Sequence, residues 1–174
     1  MKRLWMAAPL AALVLVGGSA AAACTGGGRE LSLEEYFQRL DRIQNDFDQR
    51  QADIESESPE ALGEVEPIKD ASQSFLALLK EALDDVDSLN PPAEAQEAHD
   101  EFVSAIEKLV EVNEGLTQRI EAIESRSELR ELFIQLENDP EFSAAGEGVG
   151  KTCKALQDIA KDNGIGVDLA CEEE

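Results

Sequence analysis

The stretch Leu89-Asn90-Pro91-Pro92 separates two long segments that have the residue pattern of amphipathic helices. The proline after Asn90 drives that residue out of the helical region, and a proline in the first turn suits a helix start. The pattern therefore predicts that one helix, spanning 58–89, ends here and that a second, spanning 92–124, begins. Because the connection is short, we expect the two helices to pack as antiparallel neighbours.

The 92–124 segment carries its apolar and small residues alternately four and three positions apart, which is the spacing of a heptad seam. The seam consists of Ala95, His99, Phe102, Ile106, Leu109, Asn113, Leu116, Ile120 and Ile123. The 58–89 segment has a similar spacing, but Gly63 and Pro67 interrupt its start, so regular helix is expected only from near Glu66. Asn113 is expected to face solvent, with a role in fixing helix register as the alternative.

Further helices are predicted on both sides of this hairpin. Ser32-Leu33-Glu34-Glu35 has the form of a capping box, and the helix that it starts should end near 55–57. A shift in the spacing of the apolar residues predicts a break at 125–127, followed by a short helix over about 127–138. One continuous kinked helix is the alternative. The glycine-rich segment 141–150 is predicted to be loop or frayed helix, and a last helix spans about 149–163.

Residues 1–23 have the composition of a secretory signal, with a basic start, an apolar run and a cluster of small residues. The apolar run is shorter than the roughly 20 residues of a membrane span. The sequence Ala21-Ala22-Ala23-Cys24 that ends this segment resembles the box of bacterial lipoprotein precursors, although Ala21 stands where such boxes usually carry leucine. Cleavage by an ordinary secretory signal peptidase at the same patch is the alternative.

The resemblance implies that Cys24 takes a diacylglycerol group and becomes the mature N-terminus, on the outer face of the cell membrane. Residues 24–31 would then form a flexible tether and residues 32–174 a helical domain. The chain has three cysteines, so acylation of Cys24 leaves Cys153 and Cys171 to form a disulfide in an oxidising compartment. This bridge would staple the end of the chain to the last helix.

The predicted fold is all-α: an antiparallel helical bundle of three long helices, plus a disulfide-stapled C-terminal helical segment. The body of the chain resembles small uncharacterised helical lipoproteins in its Leu-x-Pro-Pro turn ahead of a helical histidine. These residues are Leu89, Pro91, Pro92 and His99.

The sequence is strongly acidic, with a formal net charge of −23 that becomes −25 once Lys2 and Arg3 leave with residues 1–23. Such a field repels nucleic acid and anionic lipid surfaces and attracts cations and basic partners.

His99 is the only histidine, and a metal ligand or a pH-sensitive group is the functional interpretation. A carboxylate-bridged di-iron site would need a glutamate three residues earlier, where Gln96 stands, and a second such pair. A partly buried histidine bonded across the hairpin turn is therefore expected, and no cofactor is predicted.

No catalytic constellation is recognisable, so the sequence predicts a non-enzymatic protein. The expected function is that of a lipid-anchored cell-envelope binding or scaffolding module, held to the membrane by its acylated N-terminus and recognising a protein partner. The alternative is an envelope solute- or cation-binding protein that uses its acidic surface.

Overall fold

The computed structural model describes residues 30–57, 64–136 and 138–171. These residues form five helices and, within those ranges, no strand. The helices are α1 (Leu33–Glu57), α2 (Val65–Asp87), α3 (Gln96–Glu121), α4 (Arg126–Leu136) and α5 (Pro140–Asp162). The predicted all-α fold is confirmed, although four of the helices are long, rather than three.

The start of α1 is fixed by the predicted capping box. The Glu35 amide donates to the Ser32 hydroxyl at 3.2 Å, and the Ser32 amide donates back to the Glu35 carboxylate at 3.2 Å. The two residues before this box are also bonded, because the Leu31 amide donates to the Asn90 carbonyl and the Glu30 carboxylate accepts from the Ala93 amide. The end of the predicted flexible tether is thus tied to the turn between α2 and α3.

The hairpin of α2 and α3 has a longer connection than the sequence predicted. Helix α2 begins at Val65, close to the expected Glu66, while the predicted start at residues 58–59 lies outside the described residues. Helix α3 begins at Gln96 and not at Pro92. The Pro92 carbonyl accepts a tight-turn hydrogen bond from the Ala95 amide at 2.9 Å. Both prolines are buried within this turn, so they belong to the reversal of the chain and not to the first turn of α3.

Helix α3 is the central helix, because α2 and α5 both pack against it while α1 packs against α2. Its buried face is therefore wider than one heptad seam and also includes Val110 and Thr117. Asn113 is buried, contrary to the expected solvent exposure, and its amide donates to the Leu109 carbonyl one turn earlier at 2.8 Å.

The hydrophobic core has two parts. The larger part lies among α1, α2, α3 and α5, and its fully buried members include Tyr36, Phe37 and Leu156. The smaller part lies where α4 covers the start of α2 and the end of α3. It consists of Ile68, Ile120, Ile123, Leu129 and Leu132. Burial of these side chains is the main stabilising contribution, at about 25 cal/mol per Å² of apolar surface.

The predicted break before α4 is confirmed, and a second capping box explains it. The Glu128 carboxylate accepts from the Ser125 amide at 3.1 Å, while the Glu128 amide donates to the Ser125 hydroxyl. Backbone hydrogen bonds from the amides of Glu124 and Ser125 to this carboxylate lower the pKa of Glu128 below its usual value. They also give the helix a defined start at Arg126.

The prediction of loop over 141–150 is wrong, because helix α5 runs through the whole segment. The Asp139 side chain caps this helix, accepting from the amides of Glu141 and Phe142, and Pro140 occupies its first turn. An aspartate cap followed by proline is a strong helix start. Packing of α5 on α3, with Ala145 buried, offsets the cost of its glycines.

The end of the described chain folds as predicted. Gly164 has a φ of 69°, which suits a glycine that terminates a helix, and the Ile165 amide donates to the Ala160 carbonyl at 2.9 Å. The following segment returns along α5, and a disulfide joins Cys153 to Cys171.

Candidate functional site

An apolar cleft of about 360 Å³ lies between α1 and α5. Its other walls come from α2, α3 and the segment after α5. The principal apolar side chains lining it are Leu40, Ile43, Phe47, Phe75, Leu79, Val86, Phe102, Ile106, Leu109, Val149, Cys153 and Leu169. Its volume is within the range of about 300–1,000 Å³ found for small-molecule sites. The cleft is therefore the candidate functional site.

The cleft exists because α1 and α5 are held apart. Helix α1 packs on α2 and helix α5 packs on α3, and contacts between α1 and α5 themselves are sparse. Helix α5 also presents Gly146 and Gly150 to the cleft, so at these two positions it contributes no side chain. A Cβ atom at Gly146 would meet no atom within 4 Å. The glycines that were predicted to break the helix instead leave the cleft open.

Burial of the apolar side chains decreases along α1 from its first turns onwards. Tyr36, Phe37 and Leu40 are buried, whereas Ile43 and Phe47 are only partly covered. The ring of Phe47 meets that of Phe75 edge to face, with centroids 6.2 Å apart. Part of this apolar surface is therefore in contact with water, and a ligand that covered it would gain the corresponding hydrophobic free energy.

Among the described residues, the polar side chains that line the cleft are Gln44, Asp48 and Gln51. All three belong to α1, at positions four and three residues apart, so they lie on one side of the opening. The Gln44 amide donates to Asp48 at 2.8 Å, and the Gln51 amide donates to Glu55 at 2.9 Å. The opening thus has one polar edge, with a carboxylate at its centre.

The segment after α5 contributes Leu169, Ala170 and Cys171 to the cleft and is held by Gln157. The buried Gln157 side chain donates to the Val167 carbonyl at 3.0 Å and accepts from the Leu169 amide at 2.7 Å. Sequence reasoning missed this residue. Its position beside Leu156, on the apolar side of α5, was the available signal.

His99 and Tyr36 form a buried polar pair outside the lining of the cleft. The Tyr36 hydroxyl lies 3.1 Å from His99 Nδ1, and the two rings meet edge to face. Burial lowers the pKa of His99, although the carboxylates of Asp100 and Asp87 oppose this effect. Burial likewise raises the pKa of Tyr36. Both groups are therefore neutral near pH 7.

The structure corrects the predicted environment of His99, since its partner is on α1 and not across the hairpin turn. The sequence offered one weak signal for the pair, because this tyrosine and this histidine are the only ones in the chain and both lie on apolar helix faces. The pair joins α1 to α3. Both side chains are buried, with 0% of Tyr36 and 4% of His99 exposed.

The other predicted site residues have separate positions. Cys24 lies outside the described residues, whereas Cys153 and Cys171 are bonded to each other at the edge of the cleft. Within the three described ranges, no three His, Cys, Asp or Glu side chains converge as a metal site would require. Of the five helices, none combines the length and apolar character that crossing a bilayer demands.

Comparisons with protein-family models, curated proteins and solved structures find no match to this chain.

Proposed function

We propose that this protein is a lipid-anchored cell-envelope binding module and that the cleft between α1 and α5 is its ligand site. The cleft carries the proposal, because it is an apolar recess of small-molecule size in an otherwise highly charged protein. Apolar surface that remains open to water is costly unless a ligand or partner covers it. No catalytic role is proposed.

The proposed anchor is Cys24, supported by the lipoprotein-like box that ends in this residue and by the pairing of the other two cysteines. Residues 30 and 31 are bonded to the turn between α2 and α3. Six residues of chain span at most about 20 Å, so an anchored Cys24 would hold this end of the bundle near the membrane. Leu40 and Val86, which line the cleft, lie in the helical turns near the same end.

One observation favours a second candidate, a scaffolding role that uses a helix face. Phe133 and Ile134 of α4 are 40% and 55% exposed, and they are adjacent in the sequence. Such a pair fits a contact with another protein. For a metal cation, the described residues offer no group of three or more His, Cys, Asp or Glu side chains that could hold it.

The proposed ligand site is tested with an apolar fluorophore and with a variant whose added side chain blocks the cleft. We expect phenylnaphthylamine, an uncharged apolar fluorophore, to bind the purified chain saturably with an increase in fluorescence. Gly146→Leu should weaken this binding at least about tenfold, which corresponds to about 1.4 kcal/mol. The added side chain would project into free space that borders the cleft, so the fold should tolerate it.

Gly148→Leu is the matched control. Gly148 lies two residues along the same helix, also has no atom within 4 Å of an added Cβ, and does not line the cleft. The control should bind the fluorophore within about twofold of the original chain. Equal binding by both variants, with both folded by circular dichroism, would show that the cleft is not the site.

A further inference from the structure

The charge at the opening of the cleft is of one sign. Among the described residues that line it, Asp48 is charged negatively and none is lysine or arginine. The net charge of the whole chain has the same sign. An anionic group at this opening would face a carboxylate at short range and an acidic surface at long range.

Aromatic rings line the same cleft as the carboxylate. Phe47 precedes Asp48 in α1, and its ring is paired with that of Phe75. Both rings line the cleft and are only partly buried. The face of an aromatic ring attracts a cation, and more strongly so when the cation is partly desolvated. The carboxylate and the rings thus favour the same sign of charge in a ligand.

We infer that the ligand of the cleft is an amphiphile with a positively charged polar end, such as an alkylammonium group on a hydrocarbon chain. This inference rests on the proposed function of the cleft. The hydrocarbon part packs against the walls that α3 and α5 provide, and the cationic end lies at Asp48, beside Phe47 and Phe75. The site discriminates against anionic amphiphiles, such as fatty-acid carboxylates, because their negative charge would lie unpaired next to the Asp48 carboxylate.

The test compares amphiphiles with hydrocarbon chains of nearly equal length and different ends. Dodecyltrimethylammonium, dodecyl maltoside and laurate, each below its micelle concentration, compete with phenylnaphthylamine for the full chain. We expect the cation to bind most tightly and laurate least tightly, with about a fivefold difference between these two at low salt. Because the end groups are exposed to solvent, added salt should reduce that difference.

Asp48→Asn separates a contact at the opening from a general attraction to an acidic protein. This variant should lower the ratio of cation to anion affinity about two- to threefold. The matched control is Asp53→Asn, which removes the same charge from an exposed position of α1 outside the cleft lining. The control should leave the ratio unchanged.

The outcomes distinguish the two proposals. Laurate that competes as well as the cation would overturn the inferred ligand class while leaving the cleft as a binding site. Equal effects of Asp48→Asn and Asp53→Asn would also overturn it, because the preference would then come from overall charge. Failure of the fluorophore and all three amphiphiles to bind would remove both the ligand class and the proposed function.

Discussion

Tyr36 and His99 show what a single polar contact does in this bundle. They are 63 positions apart in the sequence, and their side chains meet in the interior, where each provides the hydrogen-bonding partner that the other lacks. A buried polar group left without a partner costs about 1–3 kcal/mol, so the pair fixes the placement of α1 relative to α3. The heptad pattern placed His99 on the buried face, but it contained no information about which helix would supply the partner.

The buried imidazole predicts a pH-dependent stability. Its pKa is lowered in the folded state by burial, so the unfolded chain binds the proton more readily. The contribution of the neutral His99 to the free energy of unfolding is complete above the ordinary pKa of about 6.5. It is lost as the pH falls towards the lower pKa of the folded state. Denaturant unfolding should therefore show stability falling between about pH 7.5 and pH 5.5.

His99→Gln isolates this effect, because glutamine keeps an acceptor for Tyr36 and does not titrate. The variant should have a flatter pH profile than the original chain over the same interval. Parallel profiles would show that other groups cause the pH dependence.

At the scale of the helix, sequence signals predicted helix starts and ends correctly where the hydrogen bonds involved join residues that are close in the sequence. The Ser32 capping box, the break before α4 and the Gly164 stop all use hydrogen bonds between residues a few positions apart. The beginning of α5 was missed because the predicted short helix ends just before Asp139-Pro140, and this pair was not recognised as a helix start. The same pair caps the next helix, and packing on α3 sustains that helix through its glycines.

The disulfide should stabilise the C-terminal segment and, through it, one side of the cleft. Replacing both Cys153 and Cys171 with alanine is expected to lower the free energy of unfolding by about 3 kcal/mol in the chain-entropy model, as judged by denaturant unfolding. A reducing agent should destabilise the original chain similarly and leave the double variant unaffected. An unchanged midpoint, or two free thiols by mass analysis of the oxidised chain, would contradict the bridge.

At the scale of the whole molecule, the fold class followed from the helical periodicity, whereas the cleft did not. The cleft depends on the distance between α1 and α5, which are separated in the sequence by three other helices. Apolar periodicity predicts that Ile43 and Phe47 face other apolar residues. It does not predict how completely those residues cover them. The cleft therefore became recognisable only from the packed arrangement.

The proposed anchoring is also a property of the whole molecule. Cys24→Ser should move the protein from the membrane fraction to the soluble fraction or the medium, as measured by fractionation and immunoblotting of cells that produce it. Thr25→Ser, which changes the next residue and keeps the cysteine, should leave the distribution unchanged. A Cys24→Ser protein that remains in the membrane fraction and retains residues 1–23 would contradict both lipidation and signal removal.

The most direct measurement is a titration of the isotopically labelled chain with phenylnaphthylamine, followed through its backbone amide resonances. Binding in the cleft predicts saturable shifts that cluster on both of its facing walls, around Phe47 on α1 and Val149 on α5, and that disappear in Gly146→Leu. Shifts centred instead on Phe133 and Ile134 of α4, or scattered over the surface without saturation, would contradict the cleft as the ligand site.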